Sequence, residues 1–172
     1  MKKIAVIFSD GTEELEALTP VDVLRRAGAQ CDIISISGQA PVGSHGIKVV
    51  SDKVVEDVDF CDYDAIVLPG GMPGATHISK NQKVISAVKD FMSKDKLVCA
   101  ICASPAVVLA GNGILGSISA TCYPAPDFIS MIENYTGEDV TVCGNVITAN
   151  GPKSAFKFSL RICESLGIVP KF

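Results

Sequence analysis

The sequence contains no tryptophan, only two histidines and no run of lysine or arginine. No apolar stretch reaches the roughly 20 residues that a membrane-spanning helix needs, which argues against a membrane as partner. The net charge of −4, without a basic cluster, argues against a nucleic acid as the main partner. The two separated histidines and the scattered cysteines lack the spacing of zinc ligands, so the sequence predicts no metal site.

What the sequence does contain is enough apolar material for a core. Of 172 residues, 48% are hydrophobic and 20% charged, which predicts a single domain spanning residues 1–172. Seven cysteines form an odd set, and the first apolar run, residues 4–8, is too short for a signal peptide. Reduced thiols in a cytoplasmic protein are therefore expected.

Strand-like and helix-like segments alternate along the chain. The predicted strands are residues 3–9, 31–36, 65–69, 97–101, 117–123 and 140–149; the predicted helices are 12–27, 81–93, 103–111 and 153–166. Residues 41–56 form an excursion with a predicted hairpin around residues 44–46. This alternation predicts an α/β fold with a mostly parallel sheet and helices on both faces. Loops 9–16, 69–74 and 100–105 should meet beyond the carboxyl ends of the strands, where such folds bind ligands.

Cys102 lies where a strand-like run meets a helix-like run without a spacer. Such a strand–turn–helix elbow places a nucleophile at the positive end of a helix, which favours the thiolate. Cys99 completes a Cys-Ala-Ile-Cys sequence that resembles a dithiol motif. However, residues three apart on a strand are separated by roughly 10 Å, too far for a disulfide. The interpretation is a single reactive cysteine, Cys102.

The segment Gly70-Gly71-Met72-Pro73-Gly74 follows a predicted strand. It has neither the spacing of a dinucleotide-binding fingerprint nor the Lys of a phosphate-binding loop, so nucleotide binding is disfavoured. The favoured interpretation is an oxyanion hole, in which the backbone N–H groups of Gly71 and Ala103 face an oxygen bound near Cys102.

No histidine follows Cys102, so the usual order of nucleophile and then histidine base does not occur. A carboxylate must act as the base instead. Glu13, Glu14 and Glu16 all lie at the start of the first predicted helix. A helical wheel places Glu13 and Glu14 nearer the apolar face, and the residues alone leave the choice among the three open.

Several of these segments together resemble the ThiJ/PfpI superfamily, and within it the branch of the parkinsonism-associated protein deglycase and its bacterial homologues. The similar segments are residues 11–16 (GTEELE), 20–28 (PVDVLRRAG), 67–71 (VLPGG), 100–105 (AICASP) and 150–152 (NGP). They occur in family order over nearly the whole chain, which makes the set specific although each motif alone is weak.

The resemblance implies a flavodoxin-like three-layer sandwich, a homodimer and no cofactor. It also implies that Glu16 is the glutamate hydrogen-bonded to the sulfur of Cys102. Gly71 and Ala103 match the backbone oxyanion donors of the family. Three pocket positions depart from the family pattern: Tyr123, His45 and Asn150. Ala103 stands where the related proteases have histidine, which disfavours protease activity.

Two functions from different classes follow. The first is a glutathione-independent glyoxalase, which converts a small reactive aldehyde such as methylglyoxal to lactate, or a related deglycase that acts on glycated proteins or amino acids. Cys102 would be the nucleophile and Glu16 the acid–base group. The second is an oxidative-stress sensor or cytoprotective protein in which Cys102 is oxidised to the sulfinic acid.

Overall fold

The computed structural model describes residues 1–172 and contains one seven-stranded sheet. Its strands are β1 (Lys3–Phe8), β2 (Gln30–Ser35), β3 (Lys53–Val54), β4 (Ala65–Leu68), β5 (Leu97–Ile101), β6 (Val140–Cys143) and β7 (Val146–Ala149). They lie in the order β3-β2-β1-β4-β5-β7-β6, and every neighbouring pair is parallel except β6 with β7. The predicted mostly parallel sheet is confirmed.

Helices cover both faces of this sheet. They are α1 (Glu14–Arg26), α2 (Gly74–Lys80), α3 (Gln82–Ser93), α4 (Pro126–Ile129) and α5 (Ala155–Leu166). The α1 and α5 helices pack together in one hydrophobic core, and α2 and α3 contribute to a second core. The flavodoxin-like three-layer sandwich is therefore confirmed.

The β1 strand illustrates why the sheet separates two cores. Because side chains alternate along a strand, Ile4 and Val6 enter the core with α1 and α5, whereas Ala5 and Ile7 enter the core with α2 and α3. All four side chains are completely buried. A strand buried on both faces is expected to be continuously apolar, as β1 is.

The predicted helix at 103–111 is wrong in type. Residues Pro105–Leu109 form a π-helical turn, followed by a 3-10 turn at Ala110–Asn112 that ends at Gly113 with a left-handed φ of +67°. Pro105 stands at the first position of this turn, where its missing N–H costs nothing, and Gly111 lies in the 3-10 turn that ends the segment and weakens it. Residues 103–112 are therefore a short irregular segment directly after the elbow.

The predicted strand at 117–123 is also wrong. Only Ala120 forms a bridge, with Tyr135. The N–H of Thr121 donates to the side-chain hydroxyl of Thr148 over 2.9 Å rather than to a neighbouring strand. A side-chain acceptor thus takes the place of a ladder partner, and the apolar pattern alone does not reveal it.

Three further regions differ in detail from the predictions. Residues 140–149 form two strands, β6 and β7, because Gly144 reverses the chain with a left-handed φ of +57°. The short α2 helix follows the glycine loop and was not predicted. The hairpin expected around residues 44–46 is present as a turn with one antiparallel bridge between Val42 and Lys48.

None of the helices has the length and apolar character needed to cross a bilayer.

Candidate active site

Cys102 directly follows β5 and has a left-handed backbone conformation, with a φ of +64°. A non-glycine residue in this region costs about 1–3 kcal/mol and needs neighbours that hold it there. The Cys102 N–H donates to the Ala149 carbonyl over 2.9 Å, and the Cys102 carbonyl accepts from the Tyr123 N–H over 2.8 Å. The predicted elbow is present, and it holds the half-buried thiol at the carboxyl end of the sheet.

The carboxyl group of Glu16 lies beside this thiol and is completely buried. Its Oε2 accepts a hydrogen bond from the Gly70 N–H over 2.8 Å, whereas no N–H or O–H group donates to Oε1. The Cys102 side chain is the other polar neighbour of this carboxyl group. A Cβ atom at Gly70 would lie 2.6 Å from both the Cys102 Cβ and Glu16 Oε2. Only glycine therefore leaves space for the pair to meet.

The three glutamates at the start of α1 have separate roles. Glu13 is the N-cap of the helix, and its Oε2 accepts from the Glu16 N–H over 2.9 Å. Glu14 turns to the excursion, where its Oε1 accepts from the His45 N–H over 2.8 Å. Only Glu16 reaches Cys102 among the three. A helical wheel cannot distinguish them because Glu13 lies outside the helix and caps its N-terminus.

Burial raises the pKa of Glu16 to about 7, and the nearby charge of Glu13 adds to the increase. Hydrogen bonds from Cys102 and Gly70 oppose it. Burial also raises the pKa of the Cys102 thiol above its ordinary value, and the Glu16 carboxylate raises it further. The sequence-based expectation of a thiolate favoured by a helix terminus is therefore wrong for the resting pair. Thiol and carboxyl group titrate as a coupled pair that retains a proton near neutral pH.

The backbone N–H groups of Gly71 and Ala103 are directed at the Cys102 sulfur, where they lower its pKa against the larger effect of burial. Gly71 has a φ of +86°, and a Cβ atom there would overlap the backbone of Gly11 and Glu13. The glycine loop thus packs directly on the start of the first helix. Two converging N–H donors next to a nucleophile are the arrangement that stabilises an oxyanion.

Tyr123 and Asn150 lie on the two segments that hold the elbow. Tyr123 binds the Cys102 carbonyl through its N–H, and its side chain is 47% exposed. Asn150 follows β7, and its Oδ1 accepts from the Ser154 hydroxyl over 2.6 Å. Its Nδ2 donates to Asp139 Oδ1 over 3.2 Å. Both positions stay predicted pocket residues, with the polar groups of Asn150 already engaged by its neighbours.

His45 occupies a different position. Its side chain is 68% exposed, and its Nδ1 lies 2.9 Å from Glu14 Oε2. It makes no hydrogen bond with Cys102 or Glu16, so its predicted place in the pocket rests on the resemblance alone. The nitrogen also lies 3.7 Å from Glu13 Oε1. Glu13, Glu14 and His45 are the group of side chains with donor atoms close enough together to hold a metal ion.

A surface cavity of about 550 Å³ lies at the end of the sheet where the parallel strands begin, opposite the end that carries Cys102. Its lining includes Lys2, Asp64, Lys96 and Asn145, residues that directly precede β1, β4, β5 and β7. Open parallel sheets bind ligands at the other end, beyond the carboxyl ends of the strands. The cavity contains no cysteine, glutamate or histidine, so we assign the active-site candidate to Cys102 and Glu16.

Comparison with known proteins identifies the family. The sequence profile of the DJ-1/PfpI family matches residues 2–165. The chain belongs to the DJ-1/PfpI family. It is 37% identical to the Parkinson disease protein 7 homolog of Danio rerio, over 96% of this chain and 89% of that protein. It is 36% identical to protein DJ-1 homolog B of Arabidopsis thaliana over 94% of this chain, which spans only 37% of that longer protein.

Solved structures of the DJ-1/PfpI family have the same fold. Oxidized Toxoplasma gondii DJ-1 matches with a TM-score of 0.92 and 36% identity, covering 96% of this chain and 91% of that one. Drosophila melanogaster DJ-1beta matches with a TM-score of 0.88 and 34% identity, over 96% and 90% of the two chains.

Sequence reasoning did not identify two supporting residues of this DJ-1/PfpI site. Gly70 donates to Glu16 and leaves the space in which the carboxyl group meets the thiol. Ser104 donates its hydroxyl to the Pro69 carbonyl over 2.5 Å and is completely buried. This bond ties the elbow to the glycine loop. The available signal was that each directly adjoins a predicted site residue, Gly71 or Ala103.

Proposed function

We propose that this chain is a cofactor-free cysteine enzyme that acts on small α-oxoaldehydes, a glutathione-independent glyoxalase that converts methylglyoxal to lactate. The observation that carries the proposal is the contact between Cys102 and Glu16, a buried carboxyl group whose pKa is raised to about 7. A group with this pKa accepts and donates protons readily at neutral pH, as acid–base catalysis requires.

The reaction begins with transfer of the thiol proton of Cys102 to Glu16. The sulfur then adds to the aldehyde carbon, and a C–S bond forms as the C=O π bond breaks. The resulting oxyanion accepts hydrogen bonds from the N–H groups of Gly71 and Ala103 and takes up the proton from Glu16 to give a hemithioacetal.

Glu16 next moves a proton between adjacent carbons of this intermediate. It removes the proton from the former aldehyde carbon and returns it to the former ketone carbon. The hydroxyl proton of the hemithioacetal passes to the former ketone oxygen, so the intermediate between the two steps is an enediol. The product of these steps is a 2-hydroxyacyl thioester on Cys102. Water then cleaves the C–S bond, which releases lactate and restores the thiol. The sum is methylglyoxal plus water to lactate, and no external oxidant or reductant is needed.

The test is lactate production from methylglyoxal without glutathione, counted per chain, with Cys102→Ser and Glu16→Gln measured in parallel. Many lactates per chain for the native protein, and none above background for Cys102→Ser, would support the glyoxalase. Methylglyoxal loss that stops at one equivalent per chain, without lactate, would contradict it. A preformed protein–methylglyoxal adduct, incubated after free aldehyde has been removed, distinguishes deglycase activity from scavenging.

A second candidate function is sensing of oxidants through Cys102. Two equivalents of hydrogen peroxide would convert the thiolate to the sulfinate, each transferring one oxygen atom and releasing one water. Glu16 Oε1 favours this function, because it has no N–H or O–H donor and could, when protonated, donate to a sulfinate oxygen. One solved relative, the DJ-1 of Toxoplasma gondii, is an oxidized form. Mass spectrometry of the Cys102 peptide after peroxide treatment tests the sensor, and an unmodified peptide would contradict it.

We further propose that the chain forms a homodimer in the cytoplasm. The homodimer follows from the family resemblance, and all seven cysteines are free thiols, as a reducing compartment would maintain them. Sedimentation equilibrium tests the dimer, and a monomer mass at all concentrations would contradict it.

A further inference from the structure

Glu13 is joined to the active-site carboxyl group by a closed ring of three hydrogen bonds. Its backbone N–H donates to the Gly70 carbonyl over 3.0 Å, and the Gly70 N–H donates to Glu16 Oε2 over 2.8 Å. The Glu16 N–H donates in turn to Glu13 Oε2 over 2.9 Å. The ring therefore connects the start of α1, the glycine loop and the acid–base group, so that none of the three moves independently.

The same ring controls an oxyanion donor. The Gly70 carbonyl and the Gly71 N–H belong to one trans peptide unit, in which the two groups point in opposite directions. The hydrogen bond from Glu13 to the carbonyl therefore also sets the direction of the Gly71 N–H. That N–H is directed at the Cys102 sulfur. Glu13 thus orients both groups that act on the nucleophile from the glycine loop and from α1.

The negative charge of Glu13 acts on the same carboxyl group. Burial is the main reason that the pKa of Glu16 rises to about 7, and the charge of Glu13 adds to the increase. Cys102 is the other titratable side chain that acts on Glu16, and its hydrogen bond opposes the increase. Glu14 and His45 face Glu13 itself, on the side away from Glu16. Glu13 is only 9% exposed, so salt and water screen its charge weakly.

Glu14 shows that this connection is not general to carboxylates at the start of α1. It is the next residue and is 5% exposed, but its Oε1 accepts from the His45 N–H over 2.8 Å. Its Oε2 accepts from the Ser44 hydroxyl over 3.3 Å and lies 2.9 Å from the His45 Nδ1. Neither oxygen is bonded to the glycine loop or to Glu16, so Glu14 is the matched control for Glu13.

We propose that Glu13 is a positioning residue of this site, which holds the Glu16 carboxyl group and the Gly71 N–H in place around Cys102 and favours the protonated form of Glu16. It touches neither the substrate nor the reacting atoms and acts through its neighbours. This role rests on the proposed glyoxalase function for its catalytic meaning. Its first test needs no turnover, however, so the two proposals can fail separately.

The first test is titration of the Glu16 carboxyl carbon by ¹³C NMR, with the signal assigned by its absence in Glu16→Gln. Glu13→Gln keeps an oxygen that can accept from the Glu16 N–H but removes the charge. The titration midpoint, about 7 in the native protein, should therefore move toward lower pH by about 0.5 pH unit or more. Glu14→Gln should leave it unchanged. A midpoint that stays in place in Glu13→Gln, or moves equally in both variants, would overturn the proposal.

A second pair of variants separates the charge from the helix cap. Asp and Asn have nearly the same shape and are both favoured at the N-cap, so Glu13→Asp and Glu13→Asn differ mainly in charge. The midpoint of Glu16 should be lower in Glu13→Asn than in Glu13→Asp, and both variants should fold. Equal midpoints in this pair would leave Glu13 as a structural cap and would reject its role in the site.

The last test measures turnover of methylglyoxal as a function of pH. The acid limb of kcat/KM reports the free enzyme's essential base, so in Glu13→Gln it should move to lower pH together with the carboxyl titration. A limb that stays at the native position while the carboxyl midpoint moves would reject the catalytic meaning of Glu13. Absence of lactate in the native protein would reject the glyoxalase function instead, and the carboxyl titration would still decide whether Glu13 controls Glu16.

Discussion

Asp32 and Glu16 are both buried carboxyl groups, yet their surroundings change their pKa values in opposite directions. Asp32, which is 8% exposed, accepts hydrogen bonds from Lys53, Tyr63 and Gln30 over 2.8, 2.7 and 3.2 Å. Burial alone would raise the pKa of Asp32, but these three hydrogen bonds outweigh it and lower the pKa. Glu16 is completely buried and has one backbone donor, and its pKa rises to about 7.

The difference separates a structural carboxylate from a reactive one. The donors around Asp32 stabilise its charge permanently, so it holds β2 to β3 and to the segment containing Tyr63. Glu16 is supplied with too few donors to remain charged, so its proton can move. A carboxyl group suited to acid–base chemistry has fewer hydrogen-bond donors than its charged form needs, which lowers the stability of the folded chain.

The largest expected effect is on catalysis. Glu16→Gln keeps the size of the side chain but cannot exchange a proton, so lactate formation should fall by about 10²–10⁴-fold. Asp32→Asn, the matched change at the structural carboxylate, should leave kcat within about 2-fold. The measurement is lactate per chain per minute at saturating methylglyoxal. Equal losses in the two variants would remove the distinction between the carboxylates.

The next effect is on the pH dependence of stability. Glu16 loses its proton near its ordinary value of 4.5 in the unfolded chain but only at about 7 in the folded one. Its contribution to stability is fully present below pH 4.5 and falls by about 3 kcal/mol as the pH rises to about 7. The difference in free energy of unfolding between the native protein and Glu16→Gln, measured in urea from about pH 4 to about pH 8, should follow this course. A flat difference would contradict the raised pKa.

The structural carboxylate should respond in the opposite direction. Its lowered pKa means that the contribution of Asp32 is present above its ordinary value of 3.8 and is lost as the pH falls through the folded value. At neutral pH, Asp32→Asn should lower the free energy of unfolding by about 2 kcal/mol, because hydrogen bonds to a charged acceptor are lost. Urea unfolding checks the value. If the free energy of unfolding of Asp32→Asn equals or exceeds that of the native protein, the hydrogen bonds from the three donors do not need a charged acceptor.

The smallest effect concerns a single donor. Tyr63→Phe removes the hydroxyl that donates to Asp32 over 2.7 Å and should lower the free energy of unfolding by about 1.5 kcal/mol. Tyr135→Phe is the matched control, because no hydrogen bond of its hydroxyl occurs in the structure, and should change it by less than about 0.5 kcal/mol. Similar losses in both variants would contradict the stated role of Tyr63.

The buried strands were predictable because their sequence pattern has one dominant cause. Residues 3–9, 31–36, 65–69 and 97–101 are apolar over their whole length, as strands covered on both faces must be. The position of Cys102 after the last of these runs therefore predicted the elbow. Residues 117–123 carry a similar pattern, but the hydroxyl of Thr148 takes the Thr121 N–H, and a distant side chain is not visible in local sequence.

The site was only partly predictable, because part of it also depends on contacts that local sequence does not reveal. The nucleophile and the two N–H donors follow from positions on loops, whereas the choice of Glu16 depends on where α1 begins. The helix begins one residue after Glu13, so this residue caps it, while the side chains of Glu14 and Glu16 diverge to His45 and Cys102. The resting protonation of Cys102 was missed because the sequence does not reveal how deeply its sulfur is buried.

The left-handed conformation of Cys102 has an evolutionary consequence. Glycine adopts this backbone conformation without strain, so a chain released from selection for the thiol would gain stability by drifting toward glycine here. The same chain would have no reason to retain a cysteine. A cysteine at this φ is thus unfavourable for the stability of the fold, and the thiol rather than the backbone gives the reason for a side chain here.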